Sequence, residues 1–238
     1  MTTQQYKNFG FSMDTGVVSK KNLQEVEKIL ETIMKNGESY EYYENDVLIR
    51  IENFFHVNEN LKKNILTDNL LQKIKQFLGE EPVLFKDKIN FKYPGGVADD
   101  LHQDIQAGWE QYGTSDFITV GIALDKCDIS TSCVYFYKKE VEERKRMLGN
   151  DYEPLSWDDF DKTFFVPAIL NPGDVTFHDA YVPHYSEAQK SKNQRRVMWL
   201  TFNGISAGDN REKYYEDKLK SFPPNNKRKA GINYEYKV

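Results

Sequence analysis

The chain has 238 residues, 39% of them hydrophobic and 29% charged, with a net charge of −5. That length gives one large domain or two small ones with a core of their own, and the negative balance excludes a general basic field for nucleic acid. No apolar run reaches the roughly 18–20 residues of a membrane span.

The start, MTTQQYKNFG, is polar and does not read as a signal peptide. From Ser19 a helix is expected. Ser19 caps it, Leu23, Val26, Ile29, Leu30, Ile33 and Met34 recur at spacings of three and four, and Asn36-Gly37 stops it. DVLIRIENFF then reads as a strand, and TDNLLQKIKQFLG as a second helix capped by Thr67 or Asp68 and ended by Gly79. After Pro82 the character changes. VLFKDKINFKY, DFITVGIAL, SCVYFY, TFFVPAIL, DVTFHDAYV and RVMWLTF are β-branched and aromatic runs, separated by turn signals such as YPGG and NPGD. Helices followed by strands without intervening helices predict an all-β core with helices packed outside.

Two charged stretches break the pattern. Residues 138–163 read as a helical insertion, a lid over the strands, and residues 205–238 as a polar, partly ordered tail. One domain over 1–238 is expected, with a helical part at 1–80 and a β core at about 82–204. Cys127 and Cys133 form neither a CxxC nor a disulfide framework, so they read as reduced, inert core thiols in a cytoplasmic protein.

Only four histidines are present, and LHQD places one of them, His102, two positions from Asp104. In a strand, that spacing points both side chains to one face. A second histidine would complete a two-histidine, one-carboxylate triad, which suits non-haem Fe(II) because it leaves coordination positions open for co-substrate and oxygen. His56 lies outside the strand set, while His178 and His184 share the run NPGDVTFHDAYVPHYSEAQKSKNQRR. Arg195 follows His184 by eleven residues, across one turn. A guanidinium about one strand from a metal can hold a carboxylate bidentately. Arg196 has the opposite strand parity and reads as solvated. Asp99, Asp100, Glu110 and Asp116 read as a solvated acidic loop around the motif.

HQD, then FITVGIALD, then NPGDVTFHDAYVPHYSEAQKSKNQRR resembles the phytanoyl-CoA dioxygenase family of Fe(II)/2-oxoglutarate oxygenases, over about residues 88–202. The resemblance implies a double-stranded β-helix, or jelly-roll, fold. It also implies iron on His102, Asp104 and His184, with Arg195 pairing with the far carboxylate of 2-oxoglutarate. Ser186, Thr119 and Gln103 match positions lining the co-substrate site, Trp109 falls near it, and Asn90 lies on the preceding strand. His178 is expected to pack beside the site, with a ligand role in place of His184 as the other reading. The implied cofactors are Fe(II), 2-oxoglutarate and O2, and the implied reaction is hydroxylation or a related oxidation of a small-molecule C–H bond, releasing succinate and CO2. Relatives that halogenate have a small residue in place of the aspartate, so Asp104 favours hydroxylation. The expected substrate is an amino acid or natural-product intermediate, with an acyl group on a carrier or CoA as the other reading. Relatives often carry a glycine turn and PGSH where this chain has DISTSCVYFYKKEVEE, so substrate identity does not carry over, and oligomeric state is open. Two other functions compete: a cupin-like metalloenzyme without 2-oxoglutarate, for which Arg195 has no use, and a non-catalytic jelly-roll binding module.

Overall fold

Strand alternation sorts the residues of this chain into two environments. In the computed structural model, which describes residues 2–114, 116–140, 147 and 154–234, the strands form two antiparallel sheets. In chain order the elements are α1 (Thr2–Phe9), β1 (Phe11–Asp14), α2 (Lys20–Asn36), β2 (Tyr40–Glu44), β3 (Val47–Glu52), α3 (Glu59–Ile65), α4 (Asp68–Leu78) and β4 (Pro82–Lys92). There follow β5 (Asp99–His102), β6 (Phe117–Ala123), β7 (Val134–Tyr137), β8 (Phe165–Pro167), β9 (Val175–Asp179), β10 (His184–Ser186), β11 (Arg195–Gly204) and α5 (Arg211–Ser221). The larger sheet runs β1-β9-β6-β11-β4-β3-β2 and the smaller β5-β10-β7-β8, the arrangement of a jelly roll.

The outer face of the larger sheet carries Ile89, Ile118, Val120, Ile122, Phe177, Met198 and Leu200. It packs on Val26, Leu30 and Ile33 of α2 and on Leu70 and Ile74 of α4. The inner face alternates with it and holds Lys86, Lys88, Asn90, Thr119, Thr176, His178 and Arg195, which is where the chemistry sits.

The expected caps form. Ser19 Oγ accepts from Asn22 N at 3.1 Å, Thr67 Oγ1 accepts from Leu70 N at 3.4 Å, and Gly37 and Gly79 end their helices in the left-handed region. NPGD makes the turn before β9. Gly173 sits at φ 91°, and a Cβ there would meet Val18 O at 2.2 Å, so only glycine lets that chain pass.

Three readings of the sequence change. Residues 1–80, expected to be helical apart from one strand, supply β1 and β2 besides the expected β3, because short strands at a sheet edge carry little periodicity of their own. In the stretch expected to be a tail, α5 buries Tyr214, Tyr215 and Lys218. Arg196 is not solvated: it binds Asp125 at 2.8 Å and, bidentately at 2.8 Å, Glu27 of α2, fastening β11 to the helical layer. Most of the lid expected at 138–163 lies outside the described residues. The described part from residue 154 folds back, with Leu155 N donating to Leu101 O at 2.7 Å. Among the described residues, no helix is long and apolar enough to cross a membrane.

Candidate active site

His102 ends β5 and His184 begins β10, and the sheet register pairs them directly, with ring centroids 4.2 Å apart. One device orients both rings. His102 Nδ1 lies 2.6 Å from Asp100 O and His184 Nδ1 lies 2.9 Å from Val182 O, so each Nδ1 carries the proton and donates to a carbonyl. Each Nε2 is then left as a free lone pair, the form a metal takes. Burial lowers the pKa of both imidazoles, that of His184 strongly, with His102 adding to the effect at His184. Both rings are therefore held neutral.

Asp104 reaches them from a different element. The strand stops at His102, and Asp104 opens a 3-10 turn over 104–107, closed by Gly108 at φ 75°. Asp104 Oδ2 accepts from His178 Nε2 at 3.1 Å and from Thr119 Oγ1 at 3.2 Å, and Thr119 lies 3.0 Å from Thr201 Oγ1. With Oδ2 engaged, Oδ1 is the oxygen left for a metal. Burial by itself would raise this carboxyl. The His178 hydrogen bond, with His184 and Lys88 nearby, holds it well below the usual range instead. His102, Asp104 and His184 offer ligand atoms all within 4.8 Å of one another. Two neutral imidazoles and a carboxylate with an open side fit Fe(II).

Arg195, at the start of β11, is 2% exposed. Its Nη2 donates to Ser132 O at 2.6 Å and its Nε approaches Thr131 O at 3.4 Å. Nη1 has no protein partner among the described residues, and the side chain walls a narrow cavity with Cys127, Cys133, Thr176, Val197 and Trp199. Burial pushes the Cys127 thiol up to about 12 and Cys133 to about 11, so both remain protonated walls.

The remaining predicted contacts fall elsewhere. Ser186 Oγ bonds Lys92 and Asp99, with Lys92 Nζ also 2.8 Å from Asp99; Asp99 is thus paired rather than merely solvated. Thr119 serves Asp104. Gln103 donates to Tyr181 O at 2.6 Å and accepts from Met147 N at 2.9 Å. Trp109 packs with Phe85 and Phe117, and Asn90 lies on the inner face with Oδ1 buried and unpartnered. None of these five lines the Arg195 cavity. His56 stands apart, 3.4 Å from Arg211 Nη2. The sequence reading missed Lys86 and Lys88, although polar residues two apart in FKDKINFK were a visible sign of an inner face.

Residues 6–197 match the family model for phytanoyl-CoA dioxygenase. The chain belongs to that family. Family members are Fe(II)- and 2-oxoglutarate-dependent dioxygenases that act on small molecules with O2, and this protein is one of them. It is 30% identical over 243 residues, 97% of this chain and 91% of the relative, to a 2-aminoethylphosphonate dioxygenase from uncultured bacterium HF130_AEPn_1. It is 34% identical over 145 residues, 61% of this chain and 54% of the relative, to a methylphosphonate hydroxylase of Gimesia maris. The family fold is seen in EctD from S. alaskensis bound to 2-oxoglutarate and 5-hydroxyectoine. Its TM-score is 0.70 at 14% identity, over 86% of this chain and 75% of that one.

Proposed function

We propose that the protein, acting as a single catalytic domain, hydroxylates a C–H bond of a small phosphonate, with Fe(II) on His102, Asp104 and His184 and the far carboxylate of 2-oxoglutarate on Arg195. The observation that carries the metal assignment is the paired anchoring of both Nδ1 atoms, which leaves two Nε2 lone pairs beside one free carboxylate oxygen. The substrate class rests on the relatives named for phosphonates, one of them aligned across 97% of the chain. It departs from the sequence expectation of an amino acid or natural-product intermediate.

Bound iron, with 2-oxoglutarate and oxygen, supplies the oxidant, and succinate and CO2 are released. The chain's own residues position and shield. Ser132 and Thr131 carbonyls hold Arg195 in the wall of the cavity. His178 and Thr119 fix the Asp104 carboxylate, and the Cys127, Val197 and Trp199 wall keeps the co-substrate site apolar around one cation.

The test is an anaerobic titration with Fe(II) and 2-oxoglutarate, following the visible charge-transfer band of the chelate, then aerobic succinate release with a panel of small phosphonates. The band is expected to vanish in His102→Ala and to need far more 2-oxoglutarate in Arg195→Ala, about 30-fold or more for a buried charged partner. A band of unchanged affinity in Arg195→Ala would return the protein to a metalloenzyme without this co-substrate. Succinate release stimulated by amino acids and not by phosphonates would overturn the substrate class.

A further inference from the structure

Strand β4 presents three lysines to the inside of a jelly roll, where an ammonium without an anion is costly. Lys92 has its anion: Nζ lies 2.8 Å from Asp99 and also binds Ser186. Lys86 has none. It is 3% exposed, it makes no hydrogen bond or ion pair among the described residues, and its Nζ sits 5.2 Å from the Trp109 ring centre and 5.6 Å from that of Tyr214. Lys88, half-buried, also lacks a partner among the described residues.

The carboxylate nearest by register is already taken. Glu52 stands opposite Lys88 on β3, and its oxygens meet Lys218 at 2.6 Å and Arg50 at 3.1 Å. Arg50, Lys86 and Lys218 all bear on that one acid, and Lys88 on Lys218. The positive excess lies beside the metal triad: Lys86 and Lys88 each act electrostatically on Asp104, and Lys88 on His102. It is also away from the Arg195 cavity. Lys92 pairs in register with Arg195, whereas Lys88 pairs with Trp199 and Lys86 with Thr201, about 13 and 20 Å farther along the strand. Protein groups leave the excess unbalanced, and burial lowers the pKa of the Lys86 ammonium, so an anion drawn in beside it would hold its charge.

We propose that the Lys86 and Lys88 ammonium groups are the seat of the substrate's phosphonate, a tetrahedral oxyanion bound beside the iron on the side away from Arg195. This rests on the phosphonate-oxygenase reading and adds the residues that enforce it. The lysines attract the head group and the low-dielectric walls strengthen the pairing; Trp109 and Tyr214 limit its size. A carboxylate or sulfonate carries less charge and serves the two ammoniums less well.

The test uses the full chain loaded with Fe(II) and 2-oxoglutarate under argon, titrated calorimetrically with methylphosphonate, methanesulfonate or acetate. Variants are Lys86→Met, Lys88→Met and Lys88→Arg. Wild type is expected to prefer methylphosphonate. Each methionine variant should bind it at least 30-fold more weakly, and Lys88→Arg within a few-fold of wild type. The chelate band, read in the same samples, should keep its 2-oxoglutarate dependence. Lys86→Met should melt no lower than wild type, because it replaces an unpaired buried ammonium by an apolar chain. Unchanged methylphosphonate affinity in both methionine variants would overturn the proposal. So would equal affinity for acetate, or a matching loss of 2-oxoglutarate affinity, which would assign the lysines to the co-substrate. Absence of the band in wild type would instead overturn the oxygenase reading, so the two failures are separable.

Discussion

At the scale of single residues, His178 shows how a histidine can serve a metal site without ligating it. Its Nε2–H donates to Asp104 Oδ2 at 3.1 Å while its ring lies tilted against Phe136, at 5.0 Å between centroids. With Thr119 it decides which carboxylate oxygen faces the metal. Replacing His178 by Phe should weaken metal binding by 10- to 100-fold, the usual cost of losing such an outer partner. A competitive Fe(II) chelator titration reads this. His178→Gln, which keeps a donor, should recover most of the loss; equal loss in both variants would mean packing, not the hydrogen bond, is what matters. The sequence made His178 legible as a neighbour of the site, because Phe177 and His178 must face opposite ways on β9.

At the scale of elements, β6, β9 and β11 cross closely where the cavity lies. Gly121 of β6 lies between Trp199 and Thr176, and a Cβ there would come within 2.3 Å of the Trp199 ring and 2.6 Å of Thr176 Oγ1. Gly121→Ala should cost about 1–3 kcal/mol of stability through overpacking, measured by denaturant unfolding. It should also drive Trp199 into the Arg195 cavity and weaken 2-oxoglutarate binding; normal affinity at reduced stability would show that the ring moved the other way. The HxD spacing also belongs to this scale. Strand parity predicted that His102 and Asp104 share a face, and they do converge. The convergence comes from a strand ending at His102 and a 3-10 turn beginning at Asp104, a break that alternation alone does not reveal.

At the scale of the whole molecule, the C-terminal helix adds a charge of its own to a site built mostly from β-strands. Lys218 of α5 reaches Glu52 of β3. Burial would raise the Glu52 carboxyl, but Lys218, Arg50 and Lys86 pull it from 4.5 to about 2, while burial pushes Lys218 from 10.5 down to about 8. The two shifts oppose one another near neutral pH, as expected of a buried pair. Acid separates them. Below pH 4.5 the unfolded chain takes up a proton at Glu52 that the folded chain refuses until about pH 2, so stability falls across that window, by roughly 3 kcal/mol at most. Urea midpoints between pH 5.5 and 3.5 should drop more steeply for wild type than for Glu52→Gln; parallel slopes would place the acid sensitivity elsewhere.

The sequence by itself determined the all-β core, its two capped outer helices and the shared face of His102 and Asp104, because periodicity, caps and residue spacing are local properties of the chain; the choice of His184 and Arg195 came from the family resemblance. Only the tertiary structure decided what each of these touches. Sheet register sets His184 against His102, the 3-10 turn brings Asp104 to His178, and β3, β4 and α5 gather Arg50, Glu52, Lys86, Lys88 and Lys218 from positions up to 168 residues apart. The surplus of buried positive charge appears only when those segments are packed together, since each lysine taken alone in the sequence reads as a solvated one.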